Sequence, residues 1–347
     1  MINACRQRER QSQMIMLARL GGAIVALSLL LMVGPLARAG ALTCRTPMGP
    51  FASLVAVAGP NTLDPSDPGI STCLAIASHA STQSSEVDSY LFDGESTQLQ
   101  LVGLWALNED WRVGAQVPWI SWGGGVLDAV IDTWHSAFGL PDGIRDDVPR
   151  GQLSVEYARQ GIAVGRLDED ASGIGDIGLM LARRLGARED GRGETWLSLR
   201  GELPTGDPER LTGSDSVDVS LTAHWHRQAP FAVDRLRLQA HTGIARLSDG
   251  QVLGAELESW VGFGGGAVDF RVGPRVSVGA GLDLRSAVVE ATVPDLEGLA
   301  GVLHVGVALT LTPRHTVRFG FSEDVLVSSH PDVIFRLQWS RAGATAR

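Results

Sequence analysis

His224 and His226 alternate along one face of a segment with a two-residue period, and His241 lies on the next such segment. Three gathered imidazoles could hold zinc. Only the His224/His226 pair is local and no acid stands beside it at a tight spacing, so the three are read as polar lining and no metal is expected. Ser220 and His224 share that face too, but four residues of extended chain hold them about 13 Å apart, too far for proton transfer. Cross-strand pairs, such as one through Ser198, depend on a register that spacing alone leaves open. No G-x-S-x-G turn, Walker loop or clustered Cys–His motif occurs, so no catalytic residue, cofactor or enzyme activity is assigned. Gly123–Gly125 and Gly264–Gly266 are read as turn glycines, and the acids from Asp207 to Asp215 as a solvated cluster that needs no ion. What remains is charge: Arg200, Glu202, Asp218, Arg235, Arg237, Glu256, Glu258, Asp283, Arg285, Arg318 and Arg336 all sit on the polar phase of alternating segments.

The elements that must position those charges are strands. Leu236, Leu238, Ala240, Thr242 and Ile244 interleave with Arg235, Arg237, Gln239 and His241; Leu303, Val305, Val307 and Leu309 make the same pattern around His304. Twelve such segments are expected, at 72–84, 96–107, 111–120, 174–187, 193–204, 215–227, 234–247, 254–265, 275–287, 300–311, 316–327 and 332–340. Most reach the roughly 9–11 residues that a tilted strand needs to cross a bilayer. Charges confined to one face fix the register, because an arginine at the lipid midplane would cost about 2–4 kcal/mol. The expected fold is therefore all-β, a transmembrane antiparallel barrel of about twelve strands, apolar outside and polar inside. Alternate connections are short (108–110, 186–192, 228–231, 266–273 and 313–314), and the long ones, 121–173, 205–214 and 288–299, fall on the other side, where two more, near Ser248 and Ser328, are short. That asymmetry fits short periplasmic turns and long external loops. Trp105, Trp111, Trp119, Trp122, Trp225 and Trp339 gather at strand ends, as interfacial girdles do.

The chain has 347 residues, with 39 acids against 29 basic residues, all of them arginine, for a formal charge of −10. An acidic surface excludes nucleic acid as a partner. Residues 1–39 carry an arginine-rich head, an apolar run from Ala23 to Leu36 and the Ala37-Arg38-Ala39 site, which together read as a cleavable secretory signal. Its removal leaves 24 basic and 38 acidic residues, and leaves Cys44 and Cys73 as the two cysteines of an exported chain. These two either pair, which would contribute about 3 kcal/mol in the chain-entropy picture, or stay as free thiols. Residues 40–70, with Pro47, Pro50, Pro60, Pro65 and Pro68, read as an extended, irregular segment that either stays outside the barrel or enters it as a plug. The barrel is placed at 71–340, and 341–347 form a tail.

Within 121–173 the period changes. Val126, Val130, Ile131, Trp134 and Phe138 recur at helical spacing before Gly139 and Pro141, predicting an external amphipathic helix, and Leu153–Leu167 reads as a hairpin extending the wall beyond the bilayer. The stretch from Asp128 to Gly143, D-A-V-I-D-T-W-H-S-A-F-G-L-P-D-G, resembles a signature of the domain-of-unknown-function family 3187. So do Leu91–Glu95, Gly173–Ile177, Leu203–Asp207, Leu211–Ser214, Glu323-Asp324 and Pro331–Phe335. The resemblance implies a Gram-negative outer-membrane barrel without an established activity, and it carries over no site residue. The expected function is a passive or gated channel for small solutes, with the eleven charges above lining its path. The alternatives are a closed structural or interaction barrel and, least favoured, a lipid-modifying enzyme. Expected partners are outer-membrane lipid, lipopolysaccharide, the barrel-insertion machinery and an unidentified small solute.

Overall fold

The computed structural model describes residues 40–42, 44, 48–51, 53–55, 64–125, 127, 151–187, 193–229, 235–326, 331 and 333–343. The signal segment 1–39 and, apart from Leu127, the helix expected at 126–138, with its family signature, lie outside the described residues.

Twelve strands close into one antiparallel barrel. In chain order they are β1 (Gly69–Ser84), β2 (Asp88–Ala106) and β3 (Trp111–Gly123), then β7 (Ile177–Ala187), β8 (Gly193–Leu203), β9 (Asp218–Gln228), β10 (Leu236–Arg246), β11 (Trp260–Arg271), β12 (Val276–Arg285), β13 (Ala300–Thr312), β14 (His315–Leu326) and β15 (Val333–Ala342). Each pairs with its chain neighbour, and β1 closes the ring against β15 with Gly69 opposite Ala342 and Ser78 opposite Val333. Closure leaves no edge in the spanning wall, as lipid requires.

Three short strands extend the wall at one end. Residues 88–93 of β2 project past the end of β3 and pair with β4 (Ser154–Arg159), which forms a hairpin with β5 (Ile162–Leu167). This is the extension that the alternation of Leu153–Leu167 predicts. β6 (Ala171–Ile174) continues the line of β7 along β3.

Parity along the strands is sharp. Leu303, Val305 and Val307 face outward, while His304, Gly306 and Ala308 are buried inside. Arginines that do point outward sit at the rims over tryptophan rings, Arg183 above Trp111 and Arg246 above Trp260. There the head group meets water and the ring supplies a cation–π contact. Trp122 departs from the expected girdle: it faces inward, and its indole donates to the Leu211 carbonyl (3.0 Å).

One rim carries short turns, at 107–110, 272–275 and 313–314. Local side chains close two of them. The Asn108 carboxamide oxygen accepts from the Asp110 and Trp111 amides (2.8 and 2.9 Å), and Thr312 Oγ1 accepts from the Arg314 and His315 amides. The opposite rim carries the long connections 204–217, 247–259 and 286–299. The last of these contains the single-turn helix α1 (Pro294–Glu297).

One strand is displaced from its expected place. β11 begins at Trp260 rather than 254, so Gly264–Gly266 lie in mid-strand and the turn is 272–275. Gly265 faces inward, where a Cβ would collide with Asp283 and press on His241. The glycine run therefore permits close approach inside the barrel; it does not mark a turn. The shift also lengthens the connection near Ser248 to 247–259, which restores the loop asymmetry that the sequence pattern shows only in part.

Candidate functional site

The inside of the barrel is the candidate site, and described residues of the chain's own N-terminal segment contact its wall. Arg318 donates from Nε to the Gly40 carbonyl (2.9 Å), and its Nη2 stands 3.5 Å from Asp67. The Ala41 amide donates to Asp269 Oδ1 (2.6 Å), whose other oxygen accepts from Gln239 (2.5 Å). Arg237 reaches Ser66 (3.2 Å). Above these contacts Cys44 is joined to Cys73 of β1 by a disulfide, and Met48 packs on Ala75, Ala77 and Ile334. Phe51, Leu54 and Val55 then enter the apolar cluster at the long-loop rim. The described parts of 40–68 thus contact the lumen wall at several levels.

The wall is shaped for this segment. A Cβ built on Gly306 would come within 2.6 Å of the Ala41 carbonyl oxygen, one on Gly279 within 3.1 Å of Ala41 Cβ, and one on Gly281 within 2.8 Å of Leu42. All three glycines face inward, so the barrel lacks side chains where residues 41 and 42 lie. Two cysteines 29 positions apart meet because one belongs to this segment and the other faces inward from β1.

Most of the charges singled out by sequence face the interior, with partners that only register reveals. Arg200 pairs with Glu202 on its own strand (2.7 Å), and not with Asp218. Asp218 lies opposite Glu202 in register and accepts from Ser216 and from the Ser248 amide (2.8 Å). Asp283 stands between His304 (2.9 Å) and His241 (3.7 Å). His304 in turn meets Ser322 (2.7 Å), to which Arg336 also donates. Three of the eleven are placed differently from expectation. Arg235 is an exposed turn residue before β10, because the strand begins at Leu236. Glu256 lies in a 3-10 turn and Glu258 in the loop before β11, a consequence of that strand's later start. Glu256 pairs there with Arg159 of the β4–β5 hairpin. Asp269, which holds the Ala41 amide, takes the inward place that those glutamates were expected to fill; it lies on the opposite phase from Glu256 and Glu258, and the alternation of Val268 and Phe270 with Asp269 and Arg271 would have found it.

Three hydroxyl–imidazole pairs arise across strands, Ser96 with His79 (3.0 Å), Ser198 with His224 (2.8 Å) and Ser322 with His304 (2.7 Å). All three serines are buried, so none of their oxygens meets a substrate in this conformation. Among the described residues no cluster of three or more histidine, cysteine or acidic side chains forms a metal site.

The long-loop rim is tied by two carboxylates. Asp176 accepts from the Thr205 and Gly206 amides through Oδ1 (3.0 and 2.9 Å), and from the Ser214 amide and hydroxyl through Oδ2. The Gly-Asp, Pro-Thr-Gly and Thr-Gly-Ser blocks are therefore one clasp, and Gly206 and Gly213 pass too close for any side chain. Asp88, beyond the spanning part of β2, accepts from the Thr292 amide (2.6 Å) and hydroxyl and from Tyr157. Burial would raise its carboxyl pKa, but the Thr292 and Tyr157 hydrogen bonds and the Arg159 charge hold it below the usual value. Burial and the neighbouring carboxylate push the Tyr157 phenol up to about 12.

Among curated proteins, none matches this sequence. Of solved structures, the COG4313 outer membrane channel from Pseudomonas putida F1 is similar at a TM-score of 0.51 and 14 % identity, over 80 % of this chain and 96 % of that one. The NanC porin gives 0.44 at 7 % identity, covering 79 % and 100 %. The Ralstonia pickettii toluene transporter TbuX gives 0.40 at 13 %, covering 91 % and 99 %. These likenesses speak to the fold. Residues 40–340 match the model of the protein family of unknown function DUF3187, and the chain belongs to that family.

Proposed function

We propose that this barrel is an outer-membrane channel for small solutes, held shut by its own N-terminal segment. The short-turn rim then faces the periplasm and the long loops face outward, with lipid and lipopolysaccharide around the wall and the insertion machinery as the assembly partner. The observation that carries the reading is the glycine-lined seat of residues 41 and 42. A barrel with a purely structural role would fill its interior with wall side chains, as small barrels do. Here Gly279, Gly281 and Gly306 leave room for a segment held by a few polar contacts and one disulfide. On release, Arg200, Glu202, Asp218, Arg237, Asp283, Arg318 and Arg336 would line a polar path.

A second reading, a permanently closed barrel that displays its loops to a partner, is favoured by the apolar packing at the long-loop rim. Planar-bilayer recording separates the two. A Gly306→Leu side chain collides with Ala41 and should turn a quiet, refolded mature chain into a conducting one. A folded variant as silent as the parent would favour the closed barrel.

A further inference from the structure

Inward-facing Arg200, Arg237, Arg318 and Arg336 each have a partner in the chain: Glu202, Ser66, the Gly40 carbonyl with Asp67, and Ser322. Arg285, the last residue of β12, differs. It is 6 % exposed, its Nε and Nη1 are buried without a hydrogen-bond partner, and no carboxylate among the described residues lies within ion-pair distance. It lines a cleft beneath the long-loop rim together with Phe51, Phe92, Ser286, Val288, Val289 and Leu296. A buried guanidinium in a mostly apolar cleft is expensive to keep, and such a group calls for an explanation.

We infer that this cleft binds a monocarboxylate with an apolar body. Resting on the channel reading, we further assign that class as the solute. The planar fork of Arg285 matches a carboxylate through two parallel hydrogen bonds. The aromatic and branched walls suit a ring or an alkyl chain. A neutral hydrocarbon would leave the guanidinium unpaired, and a divalent anion would meet a single cation in an apolar cleft. The cleft is narrow as it stands, so an occupant larger than a few atoms takes the place of Phe51, which packs edge-on to Phe92 at 5.3 Å. Phe51 belongs to the N-terminal segment, so the ligand competes with the top of that segment for the same wall.

The test is calorimetric titration of the refolded mature chain in detergent with benzoate and hexanoate, against benzyl alcohol and sulfate. Saturable binding of at least one carboxylate is expected, with no binding of benzyl alcohol or sulfate. Arg285→Leu should weaken the carboxylate at least about tenfold. The variant should also unfold in urea at the same or a higher concentration than the parent, since no partner is orphaned. Failure of both carboxylates to bind, or equal binding by Arg285→Leu, overturns the site. So does unfolding of the variant at clearly lower urea, because Arg285 would then have a partner within the chain. Carboxylate binding by a chain that never conducts would keep the site and remove the channel. Conduction without carboxylate binding would keep the channel and remove the site.

Discussion

At the long-loop rim Phe51, Phe92, Trp122, Tyr157, Leu253 and Val289 close the barrel with apolar side chains, whereas toward the short turns Arg237, Asp269 and Arg318 hold the same N-terminal segment by polar contacts. The chemistry of the two regions differs, and so should their response to change. Apolar packing loses transfer energy and gains a cavity when a side chain is removed, so damage appears as lost stability. A single polar contact contributes only about 0.5–1.5 kcal/mol net, so losing one leaves the barrel standing. Damage there should appear as movement of the segment while the barrel stands.

The largest effect is expected in the cap. Trp122→Ala removes a buried ring and the donor to the Leu211 carbonyl, and should cost about 3–5 kcal/mol in urea unfolding. A loss well below that would mean the cap is looser than its packing. Asp176→Ala unties the clasp that joins 204–214 to the wall and should cost about 1–3 kcal/mol, with faster proteolysis of that loop. Asp269→Asn should cost only about 1 kcal/mol yet raise channel activity, because it weakens the hold on the Ala41 amide. If it destabilised the protein as much as Trp122→Ala, the contrast between the two regions would fail.

The smallest effect concerns pH. Asp88 has its carboxyl pKa depressed in the folded state, so its contribution is complete above the unfolded value of about 3.9 and is lost as pH falls through the folded one. Protection of the Thr292 amide against hydrogen exchange should therefore hold at pH 5 and drop below about pH 4. In Asp88→Asn the protection should be low throughout.

The wall was legible because lipid imposes a rule on every strand: Leu303, Val305 and Val307 must face out, and the charges must not. The position of β11 was not legible from glycine count, because Gly264–Gly266 suit a turn as well as a close approach inside a barrel. Parity placed Arg200, Asp218 and Arg318 on the inner face, but their partners depend on register and on a segment that obeys no period. Nothing in the spacing of residues 40–68 says that Ala41 meets Gly306, since that contact rests on an absent side chain. Arg285 looked like its neighbours in sequence, and what distinguishes it is that its guanidinium Nε and Nη1 have no hydrogen-bond partner among the described residues.

The account turns on whether the N-terminal segment closes the barrel. Single-channel recording of the mature chain, beside a Cys73→Ser chain lacking residues 40–67, tests that most directly. The account predicts a largely silent mature chain and persistent open steps from the shortened one, with both folded. Identical traces from the two, open or silent, would contradict it.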